Sequence, residues 1–287
     1  MESFGRICSV IGSDRPGRKV GGLLRPECLG RALELLKNAP SSAIVTGFFV
    51  PACGVPETDG PGGAVMLGRA LERCGRSATL YTDSRCFSVL DACSRAVDGP
   101  VVRSVETGEE LLDSSPSLVV FLERLGRAAD GRYYNMRAED ISTVTAPLDD
   151  AAAPALAAGI PVLAVGDGGN EAGMGAFRSE LSSILPGYAH CLSVTQASLT
   201  LPVDVSDWGG YALAAMLSLV AGEWVGPDEE EIDPMLASIV GAGAVDGVTL
   251  RGEPTVDGFD ASVHRAVVRS LHEITSSAIL NTKRAHF

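Results

Sequence analysis

The chain has 287 residues, 46% of them hydrophobic and 21% charged, a balance that excludes a disordered or low-complexity protein and supplies enough apolar mass for a sizeable core. Its 36 acidic against 23 basic residues give a formal net charge of -13, which argues against nucleic acid or an anionic membrane as partner, since no basic patch interrupts the excess. That acidity is silent about a small anionic substrate, which needs only a few arginines or backbone N–H groups.

From Pro26, the residues Cys28, Leu29, Ala32, Leu33, Leu35 and Leu36 recur at helical spacing and stop at Asn38-Ala39-Pro40. Ala43 to Val50 is an apolar, β-branched and aromatic run that predicts a strand buried on both faces. A Pro- and Gly-rich loop, 51–63, leads into a helix carrying Ala64, Leu67, Leu71 and Cys74, and then into a strand at Ala78 to Thr82. The alternation continues with a helix at Phe87 to Ala96, a strand at Pro100 to Val105, a helix at Glu109 to Ser114 and a strand at Leu118 to Leu122.

A polar stretch, Glu123 to Ser142, precedes a helix at Ala151 to Ala158 and a strand at Ile160 to Val165 that runs directly into Gly166-Asp167-Gly168-Gly169-Asn170-Glu171. Beyond it lie a strand at Leu201 to Val205, a helix at Gly209 to Ala221 apolar nearly all round, and a last helix at Phe259 to Leu280. Asp228 to Glu231 and Gly241 to Gly247 read as solvated surface and loop. The pattern predicts an α/β protein: a three-layer, doubly wound, mainly parallel sheet with helices on both faces, formed by residues 1–287 as a single domain.

Seven cysteines, an odd number with no C-x-x-C spacing, read as reduced thiols. The longest apolar stretches, such as Ala212 to Val220, are too short to span a bilayer, and the N-terminus lacks a secretory h-region, so the expected location is the cytoplasm. Arg6, Arg15, Arg18 and Lys19 resemble a mitochondrial presequence that Glu2 and Asp14 interrupt, which would make the matrix the location in a eukaryote.

In open parallel sheets, ligands bind beyond the carboxyl ends of the strands, and three loops there are rich in functional groups. The first joins Thr46-Gly47-Phe48 to Glu57-Thr58-Asp59-Gly60-Pro61; its glycines and helix N-terminus suit a carboxylate, while Asp59 or Thr58 can equally serve as a helix cap. The second packs Glu123, Arg124, Arg127, Asp130, Tyr134, Asn135 and Arg137, a mixture fit for gripping an amino acid or for a surface salt-bridge network. In the third, Gly168 and Gly169 can offer N–H groups to an oxyanion and Asp167 and Glu171 can serve as bases or metal ligands; the alternative is a glycine turn capped by Asn170. It lacks the ending of a P-loop. The four histidines, at 190, 264, 272 and 286, fall outside these loops, leaving a histidine triad or zinc site without support.

Together the three loops, with Val205-Ser206-Asp207-Trp208-Gly209-Gly210-Tyr211, resemble the D-glutamate cyclase family over most of the chain. Asp207 stands where the family pattern has asparagine and Ala172 where it has isoleucine, and Asp207 adds a charge beside the site. The resemblance implies a hydro-lyase that closes D-glutamate into 5-oxo-D-proline and water. No nucleotide is needed, because intramolecular closure carries a large effective molarity. It assigns the base to Asp167 or Glu171, with Asn170 beside them, the carboxylate clamp to Arg124, Arg127 or Arg137, and the oxyanion to Gly168 and Gly169. Thr46, Gly47, Asp59, Gly60 and Asn135 complete the substrate site. A divalent ion such as Mn²⁺ would find oxygen ligands in Glu57, Asp59, Asp167 and Glu171. The partner expected is the small-molecule substrate, and a homo-oligomer stays open. The alternatives are a non-catalytic binding module for an acidic amino acid and a metal-dependent phosphoryl-transfer enzyme or hydrolase.

Overall fold

The structure is a computed structural model that describes residues 2–285; His286 lies outside the described residues. Six strands, β1 (Ser41–Val45), β2 (Ser77–Thr82), β3 (Val102–Ser104), β4 (Leu118–Leu122), β5 (Val162–Gly166) and β6 (Leu199–Pro202), form one sheet in the order β3-β2-β1-β4-β5-β6. Every pairing is parallel, with Val45 level with both Tyr81 and Phe121, and Leu122 level with Val165. The chain works outward from β1 to β3, then returns to the other side of β1 to start β4. Order therefore reverses between β1 and β4, and the loops leaving those strands diverge to open a cleft.

Alternate residues of the strands face two unequal layers. Ile44, Leu80, Val120, Leu122, Leu163, Val165 and Leu201 point into the larger core, shared with α1 (Glu2–Ile11), α2 (Pro26–Asn38), α3 (Pro61–Arg73), α4 (Phe87–Ala96), α8 (Ser206–Ala221), α9 (Glu229–Gly241) and α10 (Ala261–Ala285). Ala43, Val45, Tyr81, Val119, Phe121 and Ala164 face a thinner layer made by α5 (Gly108–Leu112), a short 3₁₀ turn and α6 (Ala152–Ala157). A further short helix, α7 (Arg178–Ile184), lies beyond β5. Each large aliphatic side chain so buried contributes roughly 1.5–3 kcal/mol.

One expectation is corrected by tertiary context, and two further segments gain a defined place in the fold. The strand expected from Ala43 to Val50 ends at Val45, because Gly47 turns the chain at φ +113 and Phe49–Val50 instead pairs antiparallel with Val55–Pro56. Asp228 to Glu231, expected as solvated surface, opens α9: the Asp228 carboxylate and the Glu231 side chain form a capping box, and Glu231 also grips Arg69 of α3. The N-terminal segment containing Arg6 folds as α1, whose Ile7 and Ile11 enter the main core. All seven cysteines are free.

Candidate active site

The cleft lies over the ends of β1, β4 and β5, with a cavity of about 180 Å³ whose lining includes Arg18, Glu57, Glu123, Asn135, Arg137, Asp167, Asn170, Glu171 and Asp257. Three polypeptide devices deliver its charged groups. The first is the loop after β5. Glu171 folds its carboxylate back over this loop, Oε1 accepting from the N–H groups of Asp167 (3.1 Å) and Gly168 (2.6 Å) and Oε2 from that of Gly169 (2.7 Å). Asp167 is thereby fixed at the cleft floor.

The second device is the segment after α1. Asp204, just past β6, accepts from the N–H groups of Ser13 (3.1 Å), Asp14 (2.8 Å) and Arg15 (3.2 Å), wrapping the segment around itself. Arg18 thus projects into the cleft, where Nη1 donates to Asp167 Oδ1 at 2.8 Å and Nη2 donates to Asp257. The third is a hairpin, Thr255–Val256 with Phe259–Asp260, turned at Asp257 and Gly258, both with positive φ. Asp246 staples it by accepting from Gly258 N–H at 2.7 Å and from Val248 N–H at 2.8 Å.

The result is a concentration of carboxylates around one half-buried guanidinium. Oxygens of Asp59, Asp167 and Asp257 lie within 4.8 Å of one another, as do those of Glu123, Asp167 and Glu171, so Asp167 belongs to both groups. Asp167 is 3% exposed and Glu123 5% exposed, and Asp167 Oδ2 and Glu123 Oε2 are buried with no hydrogen-bond partner. Burial drives the Asp167 carboxyl well above the usual carboxylate range; Arg18 opposes this, and Asp257, Glu123 and Asp59 add to it. Glu123 is raised by burial and then by Glu171, Asp59 and Glu57, and Glu57 by burial and then by Asp257. Burial works against the charge of Arg18, yet Asp167 and Asp257 hold it firmly protonated. Carboxyls so raised bind protons more readily than ordinary carboxylates, and their oxygens suit a hard cation.

The residues singled out from sequence divide sharply. Asp167, Asn170 and Glu171 line the cleft together, joined by Glu57, Asn135 and Arg137. Asn135 spends its side chain on its own loop, donating to Glu139 and accepting from the N–H groups of Arg137 and Glu139. Gly168 and Gly169 are corrected as oxyanion donors, because both N–H groups already donate to Glu171. Arg124 and Arg127 are corrected as clamp residues. Arg124, 1% exposed, donates to the Gly47 and Ala146 carbonyls and pairs with Asp83 at 2.6 Å, whereas Arg127 pairs with Asp150 and Tyr133 outside the cleft. Thr46, Gly47 and Gly60 pack beneath the floor rather than along it. Asp59 lies behind Asp167, its carboxylate accepting from the N–H groups of Gly60, Ser206 and Asp207.

Arg18 and Asp257 carried no assigned site role in the sequence. Arg18 has no motif around it. Asp257 sits in Val256-Asp257-Gly258-Phe259, an Asp-Gly hairpin signature that marks a turn but not its destination. Glu123 follows β4 directly, where the strand-end rule points.

The family model described as D-glutamate cyclase-like, C-terminal, matches residues 7–272. The mitochondrial D-glutamate cyclase of Homo sapiens is 35% identical over 234 residues, which cover 74% of this chain and 38% of that protein; the chain thus spans well under half the length of that relative. An exopolyphosphatase-related protein from Bacteroides fragilis superposes with a TM-score of 0.37 at 8% identity, over 90% of this chain and 60% of the other, a likeness too distant to carry an assignment.

Proposed function

The chain belongs to the D-glutamate cyclase-like family, and from that premise we propose that its cleft closes D-glutamate into 5-oxo-D-proline with loss of water. The observation that carries the reading is Asp167: a buried carboxyl of raised proton affinity, braced by Arg18 on one oxygen and unpartnered on the other. Ring closure needs a base for the substrate ammonium, because only the free amine attacks the γ-carboxyl carbon. A carboxyl of raised proton affinity is a stronger base than an ordinary carboxylate, which suits that task. Asp167 takes the first proton from nitrogen. The C–N bond forms, Glu123 delivers one proton to the departing γ-oxygen and Asp167 passes on the one it has taken, so that the oxygen leaves as water. Nitrogen's second proton then goes to Glu123, and both carboxyls end as they began. Glu171 takes no part as base in this scheme, since its oxygens organise the loop. Arg137 at the rim grips a substrate carboxylate.

A divalent ion such as Mn²⁺ fits the donor set, which offers hard carboxylate oxygens, two of them buried without a partner. Glu123, Asp167 and Glu171, or Asp59, Asp167 and Asp257, would hold it, and it would supply Lewis-acid polarisation of the γ-carboxyl. We read residues 1–287 as one catalytic domain. Seven free thiols suit a reducing compartment, the cytoplasm or a mitochondrial matrix. Among the described residues no helix is long and apolar enough to cross a membrane.

Incubation of the purified chain with D- and L-glutamate, with and without Mn²⁺ and after exhaustive chelation, followed by chiral chromatography of 5-oxoproline, tests the reading. Product from the D isomer establishes it. Saturable binding of D-glutamate without product would replace it with a binding module for an acidic amino acid.

A further inference from the structure

We propose that Arg18 is a second carboxylate clamp held in reserve by Asp167 and Asp257, and released to the substrate when a divalent cation takes its place. The inference rests on the cleft being a dicarboxylate site.

Two carboxylate groups share Asp167, and they are unequally provided. In the group of Asp59, Asp167 and Asp257, the guanidinium of Arg18 already bonds to two members. In the group of Glu123, Asp167 and Glu171 that guanidinium reaches Asp167 alone, and two carboxylate oxygens, Asp167 Oδ2 and Glu123 Oε2, are buried without a partner. A divalent cation entering there shares Asp167 with Arg18. Two positive charges on one carboxylate repel each other strongly in a buried site. The guanidinium is the one free to move. Its side chain is 21% exposed, against 3% for Asp167, and it follows the exposed Gly17, at φ +74, where a Cβ would meet no atom within 4 Å. Displaced from Asp167, Arg18 still faces the cleft, where its planar fork suits a carboxylate.

The coupling runs both ways. Removing Arg18 should strengthen cation binding, because Asp167 and Asp257 lose a competitor, and should abolish the gain in dicarboxylate affinity that the cation brings. Glutarate is the probe, since it has both carboxylates of the substrate but no amine and does not cyclise.

The experiment measures Mn²⁺ affinity by electron paramagnetic resonance and glutarate affinity by calorimetry, with and without Mn²⁺, for the wild-type chain, R18Q and R137Q. The expected result is Mn²⁺ binding roughly tenfold or more tighter in R18Q than in wild type, with R137Q close to wild type. Mn²⁺ should tighten glutarate binding in wild type and not in R18Q. Equal Mn²⁺ affinity in wild type and R18Q, or an equal rise in R137Q, would overturn the proposal by showing a general field rather than competition. Absence of Mn²⁺ binding in all three would overturn it as well. Neither result touches the cyclase reading, which stands or falls on 5-oxoproline formed from D-glutamate by the wild-type chain. A melting curve of R18Q keeps misfolding separate from altered binding.

Discussion

Asp59 and Asp207 cap each other's helices. Asp59, one residue before the N-cap of α3, accepts from the N–H groups of Ser206 (3.1 Å) and Asp207 (2.9 Å) at the start of α8, while Asp207 Oδ1 accepts from Gly60 (3.1 Å) and Gly63 (2.6 Å) at the start of α3. Two buried carboxylates thus meet where two helix N-termini converge, and both helix dipoles favour their charge. Burial nevertheless pushes Asp207 up to about 7, and it pushes Asp59 well above the usual range, with Asp207 adding to the shift.

Asp207→Asn should stabilise the protein at alkaline pH. The folded state holds a proton on Asp207 that the unfolded chain releases near the ordinary carboxylate value, so stability is lost as pH rises through about 7. Asparagine keeps an acceptor for Gly60 and Gly63 and removes the titration. Thermal melts of variant and wild type should agree near pH 5 and diverge by roughly 1–3 kcal/mol near pH 8. A difference independent of pH would refute this.

Gly210→Ala should cost roughly 3 kcal/mol or more, because a Cβ on Gly210 would sit 2.4 Å from Gly63 Cα, where α8 crosses α3 backbone to backbone. Denaturant titration gives the value, and unchanged stability would mean that the helices can separate without loss.

Asp167→Asn and Glu171→Gln should fail differently. The first removes the proposed base, lowering kcat by about 10²–10⁴-fold with the fold retained. The second strands at least one buried N–H among Asp167, Gly168 and Gly169, costing about 1–3 kcal/mol of stability as well as activity. Paired kinetics and melting curves separate the two, and an Asp167→Asn enzyme of full activity would move the base elsewhere.

Arg124→Ala and Arg137→Ala should separate stability from binding. Arg124 pairs with buried Asp83, and its loss leaves an uncompensated charge, destabilising by about 3–5 kcal/mol. Arg137 is exposed at the rim, so its loss should raise KM with little change in melting temperature. The opposite pattern would reverse these roles.

Acid should weaken the Trp208–His264 contact. Trp208 Nε1 donates to His264 Nδ1 at 3.0 Å, and burial pushes the imidazole down to about 4. The unfolded chain takes up the proton first, so up to about 3 kcal/mol of stability, complete above pH 6.5, drains away as pH falls toward 4. His264→Gln retains an acceptor, and its stability profile should be flatter over that interval.

Much of this protein is written locally. Strand and helix periodicity marked all six strands of the sheet, with the runs from Ala43 and Leu201 carried past their ends at Val45 and Pro202, because burial on both faces demands the apolar runs seen at Ala43 to Val45, Leu118 to Leu122 and Val162 to Val165. The glycine loop after β5 marked Asp167, Asn170 and Glu171, since a strand end opening into glycines is a local signal. Long-range contact decided the rest. Arg18 meets Asp257 across 239 positions, and Asp59 meets Asp207 across 148, distances over which no spacing rule operates. Arg124 and Arg137 look alike in sequence, yet strand order buries one against Asp83 and leaves the other at the cleft rim. Gly168 and Gly169 have the composition of an oxyanion hole, but the fold of Glu171 over the loop consumes their N–H groups. Periodicity records which face of an element is buried, whereas the partner of a charged group is set by which loops the sheet order brings to one end.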